Sequence, residues 1–244
     1  LDHFKLTYSR YSETSILVEW PQYIAPEILS DILLFKTYLL KENSESIIQI
    51  TNAYSSILIT YTSNDVDIDT QITTLKAKYD SRQNFEIGPQ KLWKIPVCYD
   101  FSFGLDLEEL SKAKKLSIPE IVRIHSEAIY KVYFIGFLPG FLYLGGLDKL
   151  LFTPRRASPR SQIEKGAIGI GGEQTGVYPN ASPGGWNIIG NSPIAFFNPK
   201  LEQPCFAKAG DCIQFVPVDF KTHQEISSQV KNGTYKIESE VLDG

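Results

Sequence analysis

Over residues 1–85, short runs that alternate apolar and polar positions are interleaved with longer runs of helical period. FKLTYS and SILVEW read as strands. Pro26 then opens PEILSDILLFKTYLLK, where Ile28, Ile32 and Phe35 recur on one helical face and Leu29, Leu33 and Leu40 widen it. A proline in the first turn loses nothing there, because that N–H has no partner inside the helix. SIIQI and SSILITY follow as strands joined by the polar turn TNAYS. DVDIDTQITTLKAKYD, acidic at its start and basic at its end, reads as a second helix. The order β-β-α-β-β-α predicts an antiparallel sheet with two helices over one face.

The rhythm breaks at DSRQNFEIGPQK, residues 80–91, where polar residues, Gly88 and Pro89 interrupt it. LWKIPVCYD resumes as a strand. DLEELSKAKKL and SIPEIVRIHSEAIY read as helices, the second opening with Ser117 and Glu120 at capping-box spacing. From Lys131 to Val218 the apolar runs are short (KVYFIGF, GAIGIGG, WNIIG, IAFF, DCIQFVPV) and separated by Gly and Pro clusters. That texture predicts a closed or nearly closed antiparallel barrel. DFKTHQEISSQVKNG reads as a last helix ending at Gly233, followed by an extended TYKIESE. The organisation expected is an α+β domain over 1–88, a mainly β barrel domain over 89–220 and a C-terminal tail over 221–244.

Composition narrows the function classes. With 24 basic against 28 acidic side chains and a net charge of −4, nothing favours nucleic acid or an anionic membrane. The most apolar stretch, ILSDILLFKTYLL, is interrupted by Ser30, Asp31, Lys36 and Thr37 and cannot span a bilayer. With no basic-then-apolar pattern at the start, a cytoplasmic protein is expected. Cys98, Cys205 and Cys212 form no C-x-x-C pair, so reduced, mostly buried thiols are expected. His3 and His223 lie near the ends without metal-ligand spacing, and no metal is expected.

Four features bear on chemistry. The glycines of residues 169–176 match neither a phosphate loop nor a dinucleotide fingerprint: no lysine follows Gly176, and no helical run follows Gly172. In a barrel strand such glycines mark bends or close backbone approach, with a ligand-facing backbone as the alternative. His125 has Ile121 and Ile129 one turn away on either side, which reads as a hydrogen-bonded core residue or, alternatively, a proton-transfer group. TPRRASPR sets Arg155, Arg156 and Arg160 on a proline-stiffened loop that could grip a carboxylate or phosphate, or simply be solvated. Ser158, Ser161 and Ser182 lack the setting of a hydrolase nucleophile.

Read in order, GLDLEELSKAKKLSIPEIVRIHSEAIYKVYFIGFLPGFLYLGGL, TPRRASPR, GAIGIGGEQTGVYPNASPGGWNIIGNSP and AGDCIQFVPV resemble the KipI/PxpB family over Ile95 to Val218. That family comprises the smaller subunit of bacterial 5-oxoprolinase, also known as allophanate hydrolase subunit 1 or as a sensor-kinase inhibitor. The resemblance implies that the barrel is cyclophilin-like. It implies a KipA/PxpC-type larger subunit and a LamB/YcsF-type PxpA protein as partners, ATP with Mg2+ used by the assembled complex, and little activity of this subunit alone. The expected reaction is ATP-dependent hydrolysis of 5-oxo-L-proline to L-glutamate. The alternatives are an allophanate or other amide hydrolase subunit and a regulator that docks on a sensor histidine kinase. No biotin is expected, since the chain has no methionine and so lacks a lysine between methionines.

The resemblance carries over His125 and Gln174 as catalytic candidates, with Arg155, Arg160, Gly172, Thr175, Tyr178 and Asn187 as substrate-binding ones. It implies that GEQTGVYPNASPGGWNIIG forms one wall of a pocket facing His125. In that picture Gln174 and backbone N–H groups near Gly171–Gly176 bind an amide or carboxylate oxygen. The chain departs from the family pattern at Ile163-Glu164-Lys165-Gly166 and at Asn191-Ser192-Pro193, the latter removing a common arginine.

Overall fold

The computed structural model describes residues 4–42, 46–62, 66–82 and 88–242; His3 and residues 83–87 of the 80–91 break lie outside them. The chain divides into two compact units, Leu1–Gly88 and Pro89–Gly244.

The first unit runs β1 (Thr7–Arg10), β2 (Ser15–Glu19), α1 (Pro26–Lys41), β3 (Ile47–Asn52), β4 (Ser56–Tyr61) and α2 (Ile68–Ser81). Its sheet is antiparallel in the order β1-β2-β4-β3. Strand alternation turns Ile16 and Val18 of β2 and Ile57, Ile59 and Tyr61 of β4 inward, where Ile28, Ile32 and Phe35 of α1 meet them. Asp67 caps α2 by accepting from the backbone N–H groups of Asp69 and Thr70. The buried carboxylate of Asp31 accepts from Trp20 Nε1 at 2.7 Å, from the Tyr79 hydroxyl at 2.6 Å and from the Arg82 guanidinium. Those donors offset the desolvation of the charge and tie the end of α2 to α1.

The second unit contains strands β5 (Gln90–Cys98), β6 (Ile129–Ile135), β7 (Leu142–Gly145), β8 (Arg160–Ile163), β9 (Ala167–Gly171), β10 (Gln174–Val177), β11 (Ser182–Gly184), β12 (Asn187–Asn191), β13 (Cys212–Val218) and β14 (Glu238–Leu242). Its helices are α3 (Leu107–Lys114), α4 (Ile118–Glu127) and α5 (Phe220–Lys231). Seven strands close a barrel in the order β12-β9-β10-β7-β6-β13-β5, with Asn191 opposite Cys98 completing the ring. The barrel is not wholly antiparallel: β13 runs parallel to β5 along its whole length. An odd ring cannot alternate direction at every step, so at least one neighbouring pair must be parallel.

The structure refines the sequence reading at two other points. IAFF forms no strand; Ile194 and Phe196 are buried from a loop. The last residues form no separate tail, because β14 pairs antiparallel with β5 from Glu238↔Lys94 to Leu242↔Gln90. Ser117 and Glu120 do form the reciprocal cap that opens α4. Among the described residues no helix is long and apolar enough to cross a membrane.

Period-two alternation gives the barrel wall two different faces. Leu142 and Leu144 of β7, Ile168 and Ile170 of β9, and Val177 of β10 enter the interior. Phe141, Tyr178, Trp186 and Ile188 gather into a separate cluster on the outside.

Candidate functional site

The glycine-rich strands make the seat of Trp186. A Cβ at Gly171 would lie 2.5 Å from the indole, at Gly169 3.0 Å from the Trp186 Cβ, and at Gly176 3.1 Å from the far edge of the ring. Only bare backbone allows the indole to approach this closely. Phe141, Tyr178 and Tyr143 then meet the indole edge-on at centroid distances of 5.5, 6.4 and 6.4 Å. Phe137, on the turn between β6 and β7, packs edge-on against Phe141 at 5.7 Å and is 66% exposed. Its φ of 64° is a left-handed conformation that a bulky side chain rarely adopts.

These aromatic groups wall a slot of about 130 Å³ together with Arg155. The Arg155 guanidinium lies 6.0 Å from the Trp186 ring centroid and has no carboxylate partner among the described residues. Burial pushes the Tyr143 and Tyr178 hydroxyls up, and Arg155 only partly offsets it, so both stay protonated donors at neutral pH. The arrangement suits a small flat anion: apolar faces for a ring, and one unneutralised guanidinium for a carboxylate.

The other two arginines of TPRRASPR brace this loop. Arg160 grips the buried Asp106 with both guanidinium nitrogens, at 2.9 and 2.7 Å, and Arg156 adds a third contact at 2.7 Å. Asp106 also accepts from the Ile188 N–H at 2.6 Å. Backbone contacts complete the brace: Arg156 N–H donates to the Gly185 carbonyl, and Asn187 Nδ2 donates to the Pro154 carbonyl. Arg160 and Asn187 therefore hold the loop that carries Arg155. The Asp106 contact holds the Arg160 guanidinium firmly protonated.

His125 sits on the opposite side of the wall. It is fully buried, stacked on Phe215 at 4.8 Å, with Nδ1 2.7 Å from the Tyr99 hydroxyl and Nε2 2.9 Å from Thr175 Oγ1. Thr175 donates its single hydroxyl proton to the Gly169 carbonyl, which can only accept. Nε2 must then carry the imidazole proton, and Nδ1 accepts from Tyr99. Both nitrogens are engaged, and burial pushes the imidazole down to about 3.

The expected wall facing His125 is thus corrected by strand geometry. Thr175 points inward to His125, whereas its neighbours Gln174 and Gly176 belong to the outer side, where the indole lies. Gly172 takes the first position of the two-residue β9–β10 turn at φ 69°, and its N–H and carbonyl are both engaged by Thr153. Of the eight residues singled out from sequence, Arg155 and Tyr178 line the slot. Gln174 stands opposite Gly171 on β9, and its Oε1 is buried without a hydrogen-bond partner. Asp106, Tyr143 and Phe137 were not singled out. A carboxylate just before a helix reads as a cap, and its arginine partners lie 50 and 54 residues downstream.

A family model described as the carboxyltransferase domain, subdomain C and D, matches residues 6–207. The chain belongs to this family. Within it, the chain is 33% identical over 230 residues to the B subunit of 5-oxoprolinase from Bacillus subtilis (strain 168), covering 88% of this chain and 95% of that protein. It is 48% identical over 123 residues to the B subunit of 5-oxoprolinase from Haemophilus influenzae, covering 50% of this chain and 58% of that protein. The crystal structure of Kluyveromyces lactis urea carboxylase superposes with a TM-score of 0.82 at 20% identity, over 98% of this chain and 24% of that one. At that identity the likeness is one of fold alone.

Proposed function

We propose that this member of the carboxyltransferase-domain family is the substrate-acid-binding subunit of an ATP-dependent 5-oxoprolinase, with a barrel of cyclophilin-like type. Its partners are a KipA/PxpC-type larger subunit and a LamB/YcsF-type PxpA protein, and the complex opens 5-oxo-L-proline to L-glutamate. The observation that carries this reading is the unpaired Arg155 guanidinium over the aromatic slot. Kinship with the 5-oxoprolinase proteins of two bacteria supports it.

5-Oxoproline is a nearly flat five-membered lactam bearing one carboxylate. The slot's 130 Å³ holds about four waters' worth of liquid at ~30 Å³ each, enough for one small ring. The carboxylate pairs with Arg155 and the ring lies against Trp186, with the Tyr143 and Tyr178 hydroxyls as hydrogen-bond donors. Gln174, on the strand beneath the indole, does not line the slot and takes no part in holding the ligand. His125 and Thr175 take no part in proton transfer; they hold the barrel interior.

The slot's side chains include arginine and two protonated tyrosines but no ready nucleophile. Attack on the lactam carbonyl therefore draws on a partner subunit, and this chain binds and orients the acid. ATP, when bound, supplies the free energy to break a stable amide; the slot is too small for a nucleotide. The test is co-expression with the two partners and measurement of ATP-dependent glutamate release from 5-oxoproline. An assembled complex that releases none contradicts the reading.

A further inference from the structure

A second cavity, of about 210 Å³, opens beside β12 and the turn that joins β8 to β9, and it shares no lining residue with the aromatic slot. Phe103, Leu105, Ala167 and Ile188 give it an apolar body, with Glu164 and Asn191 among its polar groups. Phe103 is held in place by stacking on Phe220 at 5.7 Å and by the His223 ring at 4.5 Å. At ~30 Å³ per water the volume equals about seven waters, room for a chain of about six heavy atoms.

Glu164 is the one charged group in the lining, and no ammonium or guanidinium pairs with it among the described residues. The neighbouring polar groups are already engaged. Asn191 donates from Nδ2 to the Lys165 carbonyl at 2.9 Å and accepts at Oδ1 from His223 Nε2 at 2.9 Å. Burial pushes the His223 imidazole down, so the ring is neutral at neutral pH and adds no positive charge. The Ser102 hydroxyl donates to Asp100 at 2.7 Å. Asp106 is gripped by Arg156 and Arg160, Asp219 caps α5 by accepting from the Thr222 N–H, and Lys221 pairs with Glu225 at 3.9 Å. Lys165 is exposed and lies outside the lining. Glu164 and Asn191 also fall at the two places where the chain departs from the family pattern, the second in place of a common arginine. An arginine beside this cavity would offer Glu164 a partner; asparagine offers none.

We propose that this cavity binds a small organic cation, a free aliphatic amine or guanidine with a short apolar stem. The cationic head pairs with Glu164, and the stem displaces water from the surfaces of Leu105, Ala167 and Ile188. The site is independent of the Arg155 slot, so its test and the glutamate-release test fail separately.

NMR titration of the isotope-labelled full chain at low ionic strength, with n-pentylammonium, pentanamide and pentanoate, reads charge apart from size. Pentylammonium is expected to move the backbone signals of Leu105, Ala167 and Ile188 and to bind at least three-fold more tightly than pentanamide, with pentanoate leaving those signals in place. Glu164→Gln changes an exposed side chain, and it should erase the preference for the cation while leaving the melting temperature unchanged. Asn191→Arg, which supplies Glu164 with a partner, should abolish pentylammonium binding; should it misfold, Glu164→Gln decides alone. Three results overturn the site: signals of Leu105, Ala167 and Ile188 that do not move, pentanoate binding as well as the cation, or a preference for the cation that survives Glu164→Gln.

Discussion

Two side chains separate binding from scaffolding. Arg155 is exposed and lacks an ion-pair partner among the described residues, so Arg155→Ala should leave the melting temperature unchanged. Loss of a charge-assisted contact to the acid costs about 1.5–3 kcal/mol, a ten-fold or larger rise in the 5-oxoproline Kd by titration calorimetry. His125 is the reverse case. Its folded-state value is depressed to about 3 against an ordinary 6.5, so the stability it contributes is complete above pH 6.5 and falls as pH drops toward 3. Between about pH 6 and pH 4, wild type should lose up to ~1.4 kcal/mol per pH unit relative to His125→Gln in urea unfolding. The same variant should keep its affinity for 5-oxoproline; parallel pH profiles, or a lost ligand site, would place His125 in the chemistry instead. Sequence left His125 between core and catalyst, because neighbours at helical spacing show burial but not which hydroxyls meet the ring.

At the level of elements, the outer face of β9 and β10 is built for one indole. Gly171→Ala puts a methyl 2.5 Å from Trp186 and should destabilise by about 1–3 kcal/mol while red-shifting Trp186 emission. Gly185→Ala, whose nearest neighbour would be 3.6 Å away, should be close to neutral and serves as the control. Asp106→Asn should cost roughly 2–4 kcal/mol and loosen the loop carrying Arg155, seen as a lower melting temperature together with weaker 5-oxoproline binding. Local devices were legible from sequence: the Pro26 start of α1, the Ser117–Glu120 cap and the alternation of the first sheet all lie within a few residues of their cause. The parallel β5–β13 pair, the non-strand IAFF and the clamp on Asp106 were not. Each is decided by segments dozens of residues apart, and the two faces of β10 become distinguishable only once the barrel has closed.

On the scale of the whole molecule, the first unit packs around its own core, and the barrel of the second carries the aromatic slot on its outer face. The slot is small, aromatic and monocationic. It holds no ready nucleophile of its own, which fits a chain that binds and positions within a larger assembly. Ordered motifs in the second unit made the family legible, while the identity of the binding residues depended on which face of the wall each side chain takes. The most direct test is the initial rate of glutamate release against 5-oxoproline concentration, for complexes assembled with wild type and with Arg155→Ala. The expected result is a KM at least ten-fold higher for the variant with assembly intact. An unchanged KM would contradict the assignment of the slot.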